Sequence, residues 1–173
     1  MLVLIRLTTK YDVEQDRICI SGEVKDGQAV VLWLTQRLLN RLVLHVSSKL
    51  ELPEPTKVKP LSVQTQVQQS FAQQRARAQM PRQIPPVKPD ERSPQWLVSK
   101  VDVKSGPDGV RLIFNGTDKN DQAAVGLPFT PLRQFLGILH DQYRLAGWAT
   151  EMWPTWVGES ALSSDQTAGK VLH

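Results

Sequence analysis

A chain of 173 residues, 40% of them hydrophobic and five of them tryptophan, is long enough for one folded body or two very small ones. Its single cysteine, Cys19, excludes an intrachain disulfide framework, and no run approaches the ~18 consecutive apolar residues of a membrane span. The net charge of +4 is unevenly spread: residues 1–51 carry +1, residues 96–173 carry −1, and residues 52–95 carry +4. A uniformly basic folded surface is therefore excluded.

Residues 1–6 lack the basic flank and long apolar stretch of a secretion signal, so a cytoplasmic protein is expected. Ile5, Leu7, Thr9 and Tyr11 then alternate with polar residues, the period of a half-buried strand. After a polar turn at 12–16, the β-branched stretch 17–21 predicts a second strand. Asp26-Gly27 predicts a type I′ hairpin turn, and the continuous apolar run 29–34 predicts a third strand covered on both faces. Thr35 suits an N-cap, and Leu38, Leu39, Leu42, Val46 and Leu50 keep helical spacing after it.

Residues 52–95 differ in composition, with eight of the twelve prolines and nine glutamines. The stretches 53–60 and 81–94 read as extended connector. The middle, 63–80, contains no Pro or Gly, and Val63, Val67 and Phe71 form a narrow apolar stripe that predicts a helix when packed on something else.

The order of the first fifty residues then returns. Val101 and Val103 mark one strand, Val110, Leu112 and Phe114 a second, and Ala123, Val125, Leu127 and Phe129 a third. Turn clusters at 106–109 and 118–121 separate them. Thr130 with Pro131 opens a helix whose stripe is Leu132, Phe135, Leu136, Leu139 and Tyr143, and Gly147 ends it. Trp148, Trp153 and Trp156 fall in the nine residues 148–156, and 158–173 reads as a polar, flexible tail.

Two β-β-β-α repeats, 1–51 and 96–157 with the Trp-rich segment attached, are thus expected on either side of a Pro/Gln-rich connector. At a fixed offset of 95, His45 falls on His140, Lys49 on Arg144 and Leu50 on Leu145. A unit of about fifty residues buries little apolar area alone. The expected fold is α+β, with the repeats packed as one pseudo-two-fold body or exchanged between two copies in a homodimer.

Chemistry-bearing patterns are sparse. Neither His45 nor His140 has a His or Cys at ligand spacing, so no metal or cofactor is expected. The carboxylates at 12–16 and 118–121 suit turns, and no nucleophile elbow, P-loop or dinucleotide fingerprint occurs. An enzyme is not expected. Candidate partner-binding residues are the aromatic anchors Trp148, Trp153 and Trp156, the stripe Val63, Val67 and Phe71, and the basic pair Arg75 and Arg77. The tryptophans read first as a segment folded back to seal the core or the join between the repeats, and second as such anchors.

A meander followed by a helix, present twice, is similar in layout to some pseudo-dimeric single-strand nucleic-acid-binding folds, a likeness of topology alone. Such binders interleave positive charge with stacking aromatics, whereas the basic excess here lies in the connector. The expected function is non-enzymatic protein–protein interaction or assembly, as adaptor or scaffold, with single-stranded nucleic acid as the alternative partner.

Overall fold

The computed structural model describes residues 1–51, 63–81 and 84–159. The first extended connector stretch, 53–60, and the tail from 160 onward lie outside the described residues, as do 82 and 83 of the second stretch. Among the described residues, seven strands and three long helices follow one another: β1 (Leu2–Asp12), β2 (Arg17–Val24), β3 (Ala29–Leu34), α1 (Gln36–Glu51), α2 (Val63–Ala78), β4 (Gln95–Leu97), β5 (Lys100–Gly106), β6 (Gly109–Asn115), β7 (Gln122–Pro128) and α3 (Phe129–Ala146). A short helical turn occupies 155–159.

All seven strands belong to one mixed sheet in the order β4-β3-β2-β1-β7-β6-β5. Within β1-β2-β3 and within β5-β6-β7 every pairing is antiparallel. The two groups meet at a parallel joint, where Leu2, Val3 and Leu4 pair with Ala123, Ala124 and Val125. A second parallel joint sets Val31, Leu32 and Trp33 beside Gln95, Trp96 and Leu97.

Both edge strands come from one run of chain, 95–106. Val98 N–H still donates to the Trp33 carbonyl (2.9 Å), and the next residue, Ser99, donates to the Asn115 carbonyl (2.8 Å). The chain steps from one edge of the sheet to the other within a single residue. That step requires the sheet to curl back on itself.

The alternating residues that point inward form one apolar core. They are Ile18 and Ile20 on β2, Leu32 and Leu34 on β3, Leu112 and Phe114 on β6, and Ala123 and Val125 on β7, all 4% exposed or less. Leu39, Val43 and Val46 of α1 and Leu132, Leu136 and Leu139 of α3 fill the same cluster. Each Val, Leu, Ile or Phe among them contributes roughly 1.5–3 kcal/mol on burial. The helices also meet through Tyr143, whose hydroxyl donates to Asn40 Oδ1 (2.8 Å). No helix among the described residues is long and apolar enough to cross a membrane.

Several local expectations shift. A β-bulge between Leu4 and Arg6 breaks the alternation of β1, so Leu4 is buried and Ile5 is 59% exposed, while Leu7, Thr9 and Tyr11 resume the inward phase. Among the described non-glycine residues only Asp16 has positive φ, so Lys25-Asp26 forms a type I turn with Gly27 left-handed after it (φ 86°), not type I′. Thr35 does cap α1, its Oγ1 accepting from Leu38 N–H (3.3 Å). The second helix starts earlier than Thr130: Phe129 opens α3, and its N–H is satisfied by the Asp108 carbonyl (3.1 Å), with no side-chain cap. Gly147 ends α3 in the left-handed region (φ 66°).

Gly109 is required by close approach: a Cβ there would collide with the Leu127 carbonyl oxygen and lie 2.6 Å from Pro128 Cα. Gly126 has open space at the same position. We expect Gly109→Ala to lower stability by about 1–3 kcal/mol in urea denaturation, and Gly126→Ala to stay within about 0.5 kcal/mol of the wild type.

Candidate functional site

The expected helix of the connector is present as α2, but its orientation reverses the usual amphipathic rule. Val63, Val67 and Phe71 are 78%, 47% and 66% exposed. The face that packs on α3 is polar: Gln73 is fully buried, beside Ala76 and half-buried Arg77. Gln73 Nε2 donates to the Arg133 carbonyl (2.8 Å), and Gln134 Nε2 of α3 donates back to the Ala76 carbonyl (2.9 Å). Arg77 donates to the Gly137 carbonyl (3.1 Å) and forms an ion pair with Asp141 (3.0 Å). Arg133 donates to Gln69 Oε1, and its guanidinium lies 5.0 Å above the Trp156 ring. Burial lowers the pKa of Arg133.

Gly137 makes this contact geometrically accessible, because a Cβ there would sit 3.0 Å from Arg77 Nε and 3.3 Å from Gln73 Nε2. Of the two basic candidates, Arg77 is therefore committed to α3, while Arg75 is exposed. A shallow groove lined by Val63, Val67, Phe71, Thr155 and Glu159 runs between α2 and the turn at 155–159.

The tryptophans lie on the core side. Gly147 turns the chain back, and Trp148 N–H donates to the Tyr143 carbonyl (3.0 Å). Trp153 and Trp156 are 6% and 2% exposed, and Trp148 packs half-buried against the core. Edge-to-face contacts chain Tyr11 to Trp148 (5.6 Å), Trp148 to Tyr143 (5.0 Å), Tyr143 to Trp153 (5.1 Å) and Trp153 to His140 (5.2 Å). Two indole N–H groups are fixed by carboxylates: Trp148 to Asp16 (3.0 Å) and Trp156 to Glu51 (2.9 Å). This network ties the segment after α3 to β1 and to the end of α1. Burial raises the pKa of the Tyr143 hydroxyl.

The two histidines occupy unlike places. His45 is exposed on α1, whereas His140 is buried against Trp153. Among the described residues no three His, Cys, Asp or Glu side chains converge as metal ligands. Cys19 is half-buried, and that burial raises its thiol pKa.

One surface has no counterpart among the sequence candidates. A groove of about 490 Å³ lies between α1 and β5, with Leu38, Val101 and Val103 in its wall and Arg41, Lys100 and Asp102 on its rim. Lys100 and Asp102 pair with each other across 2.6 Å, which holds the Asp102 carboxyl below its usual range. No sequence motif marks this groove. It exists because β5 is an edge strand with α1 alongside, a consequence of strand order.

Burial lowers the pKa of His140, with the cations Arg77 and Arg144 acting in the same sense and Asp141 opposing them. The unfolded chain therefore binds the proton more readily than the folded one. Stability should be full above about pH 6.5 and fall as the pH drops below that value in urea melts, and His140→Gln should flatten this dependence while His45→Gln leaves it intact. Comparisons of this chain with protein-family models, with curated proteins and with solved structures found no match.

Proposed function

We propose that this chain is a non-enzymatic interaction protein, an adaptor or scaffold of the cytoplasm, that holds another protein on the outward face of α2. The observation that carries this is the reversed packing of that helix. Glutamine and arginine are turned inward, and Val63, Val67 and Phe71 are presented to solvent in one line. An exposed apolar stripe on an otherwise polar helix is the form of a helix-in-groove or helix-on-helix contact. Arg75 extends the stripe by one further step of four residues and is exposed. Trp153 and Trp156 have their rings inside, so of the three tryptophans only Trp148 has ring edge to offer a partner.

A second part of the proposal is that the body is a duplicated β-β-β-α block with an approximate two-fold relation. The strand registers support it. Asp12↔Arg17 at the first hairpin corresponds to Gly106↔Gly109, and Ile18↔Leu34 at the second corresponds to Val110↔Leu127. These pairs give offsets of 94, 92 and 93 in the successive strands. In the helices, buried Leu39, Leu42, Val43, Val46, Ser47 and Leu50 fall on Leu132, Phe135, Leu136, Leu139, His140 and Tyr143 at an offset of 93. The offset of 95 that matches His45 to His140 therefore does not match burial; Ser47 takes that place. The β1 bulge at Ile5 coincides with Ser99, where the chain changes edges. The relation is approximate, since the two parallel joints differ by two residues in register: Leu4 pairs with Val125, but it is Trp96, and not Val98, that pairs with Leu32.

The double substitution Val67→Glu, Phe71→Glu tests the contact face. Both sites are exposed, so the thermal midpoint should hardly move. Affinity capture from native lysate should lose a stoichiometric partner at least about tenfold. Retention of every partner by this variant would remove α2 from the interface. A chain that is dimeric by light scattering and becomes monomeric on the same substitutions would make a second copy the partner. Binding of labelled single-stranded oligonucleotides that weakens steeply with salt would favour nucleic acid instead.

A further inference from the structure

The connector does more than carry α2. Beyond that helix the chain passes β1, where two side chains hold its main chain. Arg6 on β1 donates to the Pro85 carbonyl (2.9 Å), and Thr8 Oγ1 accepts from Val87 N–H (2.8 Å). Val87 is 6% exposed. The space beside β1 at Arg6 and Thr8 is thus occupied by a proline-containing strap.

The offsets above carry these two positions to the other half. Arg6 falls on Lys100 and Thr8 on Asp102. Those residues lie on the rim of the 490 Å³ groove between α1 and β5. The chemistry carries over as well: Lys100 is a donor in the place of a donor, and Asp102 is an acceptor in the place of an acceptor. We infer that the α1/β5 groove is a docking site for an extended, proline-containing segment of a partner protein, held as the chain holds its own strap.

The rim is in a state suited to exchange. Lys100 pairs with Asp102, which also accepts from Asn115 Nδ2 (3.0 Å), at side-chain exposures of 69% and 40%. An ion pair this exposed contributes little, so replacing it with a main-chain carbonyl and N–H loses little. Leu38, Val101 and Val103 supply an apolar wall for an aliphatic side chain of the docked segment. Proline suits the role because it lacks an N–H that would otherwise need a partner, and its extended conformation is formed before binding. Among the described residues β5 pairs only with β6, which leaves its outer edge for such a segment.

The inference rests on the two-fold relation proposed above, and its test is independent of α2. The probe is a fluorescein-labelled peptide with the sequence of residues 84–94, Ile-Pro-Pro-Val-Lys-Pro-Asp-Glu-Arg-Ser-Pro, titrated into the full chain. Saturable binding is expected, with amide shift changes confined to α1 and β5. Arg41→Glu and Lys100→Glu, both at exposed positions, should each weaken it about tenfold without changing the melting curve. No saturable binding, shift changes at β1 and α3 in place of α1 and β5, or indifference to both substitutions would overturn the inference. So would a dimer in solution whose copies exchange straps. If the peptide fails while Val67→Glu, Phe71→Glu still releases a captured partner, this inference falls and the α2 interface stands. If the peptide binds and no partner depends on α2, the outcome is the reverse.

Discussion

The step at Val98 and Ser99 is the constraint on which the architecture depends. A seven-stranded sheet ends in two rows of unpaired main-chain groups, and each row invites pairing with other chains. Here one twelve-residue run, 95–106, supplies both edge strands, first beside β3 and then beside β6. The curl this forces brings α1 against β5 and α3 against β1 over a common core. Trp96 and Val98 enter that core from the same run, at 9% and 3% exposure. A Cβ at Gly116 would lie 2.5 Å from Asp121 Cβ and 2.8 Å from the Trp96 indole Cδ1, so Asp121 and Trp96 together leave room only for glycine there. The closing contacts are far apart in sequence, Leu2 with Ala123 and Leu32 with Trp96. Parallel pairing of this kind forms only after long loops have closed, so the hairpins should form first and the joints last.

The attachment of α2 follows a different energetic rule. Burial of Val67 and Phe71 would contribute roughly 1.5–3 kcal/mol each, and the helix forgoes it in this arrangement. Its inward glutamine and arginine must instead find partners or carry a desolvation cost of about 1–3 kcal/mol for each group left unpaired. Gln73 Nε2, Arg77 and Arg133 find main-chain carbonyls or side chains, while Gln73 Oε1, Arg77 Nε and Arg133 Nη1 stay buried without a hydrogen bond. The helix is therefore held by directional polar contacts with little apolar contribution.

Much of the fold could be read before any coordinates, because most elements here are periodic. The inward residues of β2, β3, β6 and β7, the stripes of α1 and α3, and the Thr35 cap all follow from alternation or helical spacing. Where the period breaks, such reading fails: the bulge at Ile5 shifts the phase of β1, and Phe129 continues the alternation of β7 although it already belongs to α3. β4 is three residues long and has no pattern to find; only its partner β3 defines it. The stripe Val63, Val67, Phe71 lies along one face of α2, but periodicity cannot say which face meets the body; that follows from the hydrogen bonds that Gln73 and Arg77 make to α3. The tryptophans stand out in the sequence by composition alone, and their burial depends on the aromatic neighbours Tyr11, Tyr143 and His140 that topology brings together. The α1/β5 groove has no sequence signal, since its rim is assembled from a helix face and an edge strand that lie on opposite sides of the connector.

On the two-fold reading, a duplicated block generates two related grooves, one beside each helix, but a single chain has only one connector to lay in them. The strap beside β1 consumes that connector: it is held at Pro85 and Val87 by Arg6 and Thr8, and must reach Gln95 in time to pair with β3. Its direction is set by where α2 docks, and α2 docks on α3, where Gly137 leaves room for Gln73 and Arg77. At the offset of 93 the corresponding position on α1 is Leu44, whose side chain is 54% exposed. A leucine there stands where the polar face of α2 would have to approach. On that reading the halves differ where α2 packs, with Gly137 on α3 against exposed Leu44 on α1, and the connector lies beside one half alone.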